Sequence, residues 1–257
     1  MTSWLTVEAG MAAKGLRIAP LRGLVPSPWT ELCRALFHVK KIPCAWIAAR
    51  DPKAGLAAFK AATGHDVLPV VFWNEERPRA SWIEQLALAE RLAPEPALLP
   101  NTPLERAQVT GLLSELCMEG GFGWCRRLMM IDRLLHESQY GDRERGIGQY
   151  LAAKYGYLGA SLADARRRCE EVLAQFARLA RTDAPYLAGT TLTALDLGWA
   201  AFAALVRPLP EADCAMQPMW RDLYTWIPTQ TAPEAVDALL VRRDRIYRQW
   251  LELPVTL

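Results

Sequence analysis

Between Leu92 and Asn101 the chain reads LAPEPALLPN, with three prolines in ten positions. Proline has no amide hydrogen and its ring clashes with the preceding turn, so no helix runs through this stretch. It separates two textures. Upstream, short apolar runs alternate with helical patterns; downstream, almost every segment repeats with the spacing of an amphipathic helix. A chain divided in this way implies a mixed α/β unit followed by a helical one.

In the first unit, Leu16–Leu21 and Ala45–Ala48 are short apolar runs, and Val67–Trp73 (VLPVVFW) is the strongest strand signal. Pro28–Lys40 places Leu32, Leu36 and Val39 on one helix face, and Asp51-Pro52 predicts a second helix reaching about Ala62. Ser81, with Glu84 three residues on, predicts a capping box opening a third. Beyond the prolines, Thr102-Pro103-Leu104-Glu105 joins an N-cap, a first-turn proline and a capping glutamate. Helices are predicted at about 103–137, 143–155, 161–181, 193–206 and 232–252, the third and fourth opened by Ser161…Asp164 and Thr193…Asp196. The predicted division is residues 1–93, with 1–14 as an extension ahead of the first strand, a linker over 94–102, and a helical unit over 103–257.

Charge narrows the partners. The net charge of the 257 residues is +2, with both signs interspersed, so there is no basic face for nucleic acid or an anionic membrane. The first fifteen residues carry Glu8 and lack the continuous apolar core of a signal peptide. No run of 18 apolar residues follows, so the expectation is a soluble cytoplasmic protein. The six cysteines (Cys33, Cys44, Cys117, Cys125, Cys169, Cys214) and three histidines show no metal-ligand spacing, which predicts no metal and buried, reduced thiols.

Four features carry candidate chemistry. Ser27-Pro28-Trp29 follows a strand and opens a helix, where Ser27 is either a plain N-cap or a donor beside an anion held by the helix N-terminus. Leu68-Pro69 interrupts a strand-like run: a trans bond at a sheet edge is the base-rate reading, and a cis bond would expose the Leu68 amide and carbonyl to an extended ligand. Ser81, after Ala80, is again either a cap or a carboxylate cradle. Ten tryptophans, among them Trp124, Trp199, Trp220 and Trp226, suit core packing or the lining of an apolar pocket.

Taken in order, Ser27-Pro28-Trp29, Lys41-Ile42-Pro43, Val67-Leu68-Pro69-Val70-Val71, Ala80-Ser81-Trp82-Ile83 and Leu98-Leu99-Pro100 resemble the N-terminal half of cytosolic glutathione transferases, nearest the tau, omega and beta-like types. Tyr186-Leu187-Ala188-Gly189 followed by Thr193-Ala194-Leu195-Asp196 is similar to that family's hydrophobic F-L-A-G and its S/T-x-x-D capping box. The resemblance spans roughly residues 15–205. It implies a two-domain fold, α+β then all-α: a thioredoxin-like βαβ-α-ββα domain and a helical bundle.

The resemblance also implies roles. Ser27 would hydrogen-bond the glutathione sulfur and favour its thiolate; Leu68, before a cis Pro69, would pair with the cysteinyl backbone; Ser81, after Ala80, would hold the γ-glutamyl carboxylate; Lys53 would reach the glycine carboxylate. Lowering a thiol pKa of about 8.5 by about two units needs roughly 2.7 kcal/mol. A hydrogen bond to a charged group contributes about 1.5–3 kcal/mol and a helix N-terminus about 0.3–1 kcal/mol, so a serine donor suffices without ionising. Glutathione is thus the expected co-substrate and a small hydrophobic electrophile the expected partner, in a pocket lined by Trp29 and the region Leu113–Trp124, within a homodimer. Departures bear on this: Ala80 stands where the family carries an acid or amide, and Val67 where it carries a basic residue, while Arg77 and Arg79 flank the site either as ligand-binding cations or as solvated turn residues. The alternatives are a non-catalytic binding or assembly protein of the same fold and a specialised glutathione-dependent isomerase or lyase.

Overall fold

A computed structural model describes residues 4–50, 55–157, 162–180 and 184–255. The first half runs β1 (Trp4–Leu5), α1 (Val7–Ala12), β2 (Leu16–Ala19), α2 (Pro28–Val39), β3 (Cys44–Ile47), α3 (Ala57–Thr63), β4 (Val70–Trp73) and α4 (Trp82–Leu92). Its sheet has the order β1-β3-β2-β4; β2 lies parallel to β3 and antiparallel to β4. One face of the sheet presents the row Trp4, Trp46, Ile18 and Val71, set by the register Trp4↔Trp46, Ile18↔Trp46 and Ile18↔Val71. Leu32, Leu36 and Val39, predicted as one face of α2, are all buried in the core that includes Ile18 and Val71. The opposite face buries Ala19, Ile47, Val70 and Phe72 with Phe59 of α3.

The extension ahead of the first predicted strand is part of this sheet. Trp4–Leu5 pairs in parallel with Trp46–Ile47 at the edge. Helix α1 then lies so close to β3 that a Cβ on Gly10 would sit 2.6 Å from an Ile47 side-chain carbon, which only glycine avoids. Arg17, buried in β2, fixes the end of α1 by donating to the Ala13 carbonyl and, at 2.6 Å, to the Asn74 carbonyl. The predicted ββ pair is reduced to β4 and a single bridge between Val71 and Arg79. The predicted strand over 67–73 begins at Val70, because Pro69 offers no ladder donor and the Leu68–Pro69 peptide is cis.

The second half runs α5 (Pro103–Cys117), α6 (Phe122–His136), α7 (Asp142–Tyr155), α8 (Leu162–Ala180), α9 (Ala194–Phe202), a short 3₁₀ turn to Leu205, α10 (Pro218–Tyr224) and α11 (Pro233–Trp250). The single helix expected over 103–137 is two. Gly120 takes φ +73°, and a Cβ on Gly121 would lie 2.7 Å from the Glu115 carbonyl, so the chain turns tightly there. Thr102 caps α5 as predicted, accepting the Glu105 amide at 3.3 Å. Asp196 caps α9: its Oδ2 accepts the Thr193 amide at 2.9 Å, and its Oδ1 accepts the Leu187 amide at 2.7 Å. The two motifs of the helical half thus bind one another.

Ser81 makes no side-chain cap bond, and Glu84 pairs instead with Arg77 at 2.5 Å, so the predicted capping box is absent. Asp51-Pro52 and Ser161 lie outside the described residues. The proline run is held by Lys40, whose fully buried ammonium donates to the carbonyls of Ala93 at 2.6 Å and Pro96 at 2.9 Å and pairs with Glu90. One apolar core runs through both halves, from Leu16 to Val255, with α2 packed on α9.

Candidate active site

Antiparallel pairing of Ala19 with Val70 sets the loop leaving β2 beside the segment entering β4. The Val71–Arg79 bridge brings Ala80 and Ser81 along the other side of the same segment. Leu68-Pro69, Ala80 and Ser81 therefore lie along the entry to β4, and the loop that leads to Ser27 leaves β2 at the same end of the sheet. Gln85, buried in the first turns of α4, ties them: its amide nitrogen donates to the Pro69 carbonyl at 3.3 Å and to the Arg79 carbonyl at 3.2 Å. No pattern in the sequence singles out Gln85. Lys53 lies outside the described residues.

Ser27 is 6% exposed and occupies the N-cap of α2 with extended backbone, yet its side chain makes no cap bond. Ser81 has the same character at α4. A serine at an N-cap ordinarily accepts a first-turn amide; here neither does, so each helix presents its hydroxyl and its free amides together. In the first turn of α2, burial pushes the Glu31 carboxyl up while Arg34 pulls it down. The carbonyl just before Ser27, that of Pro26, accepts the Tyr224 hydroxyl at 2.9 Å; that hydroxyl in turn accepts from Arg127 at 2.8 Å. Burial raises the Tyr224 phenol, which keeps it a neutral donor.

Burial holds five of the protein's six thiols protonated, while bonding with Cys169 pulls the sixth, Cys125, below the ordinary thiol value. All six are free and five are buried; burial raises Cys33 and Cys117, and raises Cys44 and Cys214 each to about 11.

Trp29, expected to line the pocket, is half-buried. Its Nε1 donates to the Cys117 carbonyl at 2.8 Å, and its ring meets Phe202 edge-on at 5.1 Å and Tyr155 at 6.4 Å. Trp124 packs on the same Tyr155 at 4.8 Å. Leu113 lines nothing: it is fully buried against α9, beneath Gly198. Arg77 pairs with Glu84, and Arg79 with Glu76, so neither is a cation awaiting a ligand. Tyr155, Arg127 and Tyr224 were missed because they come from helices far away in sequence.

Neither a protein-family profile nor a curated protein matches the sequence. Solved structures do. A glutathione S-transferase from Xanthobacter autotrophicus Py2 is 18% identical, with a TM-score of 0.59 and coverage of 94% of this chain and 98% of that one. A beta-etherase from Sphingobium sp. strain SYK-6 is 16% identical, with a TM-score of 0.62 over 91% of this chain and 95% of its own. A glutathione S-transferase from Methylobacterium radiotolerans, solved with glutathione sulfonate, is 20% identical, with a TM-score of 0.55 over 92% of each chain. A thioredoxin-like half leading into a helical bundle is thus the architecture shared by all of these. This chain has the glutathione-transferase fold.

Proposed function

We propose that this chain is a glutathione-dependent enzyme that presents the glutathione thiolate to a small hydrophobic electrophile. The carrying observation is the pair of N-cap serines, Ser27 and Ser81, whose side chains make no cap bond, together with the bond from Gln85 of the Ser81 helix to the Pro69 carbonyl. A tripeptide laid along Leu68 would place its γ-glutamyl carboxylate at Ser81 and its sulfur at Ser27. There a hydroxyl donor and the α2 amides would stabilise the thiolate. The electrophile would lie against Trp29, Trp124 and Tyr155. Transfer, ether cleavage and isomerisation all begin from this thiolate, so the reaction class is left to the substrate.

A second reading, the fold kept for binding or assembly without turnover, is favoured by Ala80. It packs against the second face of the sheet and offers no carboxylate to the tripeptide's amino group. Calorimetric titration with glutathione separates the two. The catalytic reading expects saturable binding with a Kd below about 1 mM, weakened about tenfold or more in Ser81→Ala. No saturable heat at several times that concentration would leave the non-catalytic reading standing. The homodimer implied by the resemblance belongs to the same proposal, and a solution mass near that of one 28.7 kDa chain would remove it.

A further inference from the structure

Cys125 on α6 and Cys169 on α8 converge on one turn, the Gly120–Phe122 segment that separates α5 from α6. The Cys125 thiol donates to the Gly120 carbonyl at 3.5 Å, and the Cys169 sulfur lies 3.8 Å from the Phe122 carbonyl. Helices α6 and α8 pack along one another, which carries residues distant in sequence to this common seat. The two thiols also bond directly, Cys169 as donor and Cys125 as acceptor. Arg168, beside Cys169, completes the group: its Nε donates to the same Gly120 carbonyl at 3.3 Å. Glu115 and Glu171 hold that guanidinium over the turn, the second at 3.6 Å.

The two sulfurs differ in character. Burial and the shared bond push the Cys169 thiol up, while that bond and the Arg168 charge pull Cys125 below the ordinary thiol value. A sulfur inclined to the thiolate thus touches a protonated one, the arrangement that two-step thiol oxidation requires: the first attacks, the second resolves. Cys33 and Cys44 also influence one another, but burial raises both, Cys44 to about 11, so neither supplies a thiolate at neutral pH. The α6–α8 pair is also shallow. Cys125 is 5% exposed, and the turn it bonds to is open to solvent over Met118–Gly120.

We infer that Cys125 and Cys169 form an oxidisable pair, joined as a disulfide when a hydroperoxide reaches the turn. The Cys125 thiolate attacks one oxygen of the hydroperoxide, the O–O bond breaks, and an alcohol leaves after taking up a proton. Cys125 is then a sulfenic acid. The Cys169 sulfur, giving up its proton, attacks it; the S–O bond breaks and water leaves. Two thiols have lost two electrons, and the hydroperoxide has become an alcohol and water. The new bond ties α6 to α8 and closes a loop that contains α7, and a dithiol reductant reverses it by exchange. This inference stands independently of the roles proposed for Ser27 and Ser81.

Peptide mass mapping of the full chain under non-reducing conditions, after brief exposure to hydrogen peroxide, tests it. The expected product is one cross-linked peptide pair joining Cys125 to Cys169 within a single chain, lighter by two hydrogens and released by dithiothreitol. Cys44, the most exposed thiol, should react at least about tenfold more slowly, because its raised pKa leaves less thiolate. In Cys169→Ala the bridge should be lost and Cys125 trapped by dimedone as a sulfenic acid; in Cys125→Ala, Cys169 should stay a thiol. Melting curves show whether each variant is folded, and the wild-type map stands without them. No cross-link, a bridge to another cysteine or another chain, faster oxidation at Cys44, or a folded Cys125→Ala protein whose Cys169 still oxidises would each overturn the pair.

Discussion

The Tyr224 hydroxyl, at the end of α10, donates to the carbonyl of Pro26, the residue before Ser27, across a separation of 198 residues. Arg127 of α6 donates to the same oxygen, so a side-chain chain runs from the helical bundle to the start of α2. The helical half therefore holds the loop that sets where the Ser27 hydroxyl points.

Tyr224→Phe removes the shared oxygen, leaving the Pro26 carbonyl without its donor and the Arg127 nitrogen without its acceptor in a buried setting. Such a loss costs about 1–3 kcal/mol. Urea unfolding should report a loss of that size, with the slope of the transition unchanged.

Ser27→Ala leaves the α2 amides in place and removes one donor. Losing a bond worth about 1.5–3 kcal/mol to a charged group lets the bound thiol rise toward its ordinary value of about 8.5. Turnover of a chromogenic electrophile should fall at least about tenfold at neutral pH and recover as pH rises, with glutathione affinity little changed. A pH–rate curve that coincides with the wild type would dismiss the serine as donor.

Gln85→Leu keeps the bulk of the side chain but strands the Pro69 carbonyl, while the Arg79 carbonyl keeps only its bond from the Val71 amide. Stability should drop by about 1–3 kcal/mol. If glutathione binds along this edge, its affinity should weaken as well, because the Leu68 and Ser81 segments lose the amide that spans them. Calorimetry on the variant measures both effects.

Asp196 gives a pH signature. Burial raises its carboxyl, against the opposing pull of bonds from Leu187 and Thr193. The folded chain then holds this proton more tightly than the unfolded chain. Its contribution to stability accordingly falls as pH rises from the ordinary carboxylate range through the raised folded value, and is level above that. Asp196→Asn should abolish this slope. At neutral pH it should also lose about 1–3 kcal/mol, because one acceptor of two buried amides becomes a donor. Melting temperatures of both proteins from mildly acidic to neutral pH provide the comparison.

Local sequence was enough to set where several helices begin and which face of α2 is buried. Leu32, Leu36 and Val39 repeat at helical spacing and all enter the core; Thr102 with Glu105 and Thr193 with Asp196 cap their helices by contacts three residues apart. The fold was readable as well, through the order of Ser27-Pro28, Leu68-Pro69 and Ser81 along a resembling chain. Contacts between distant segments were not. Nothing near Trp4 in sequence indicates that it pairs beside Trp46, because strand pairing depends on which edge is left open after β2 and β3 associate. The break at Gly120-Gly121, the grip of Lys40 on the proline run, and the reach of Tyr224 to Pro26 are likewise decisions of packing. A buried donor takes whichever carbonyl the assembled fold sets before it, and only the folded chain determines which that is.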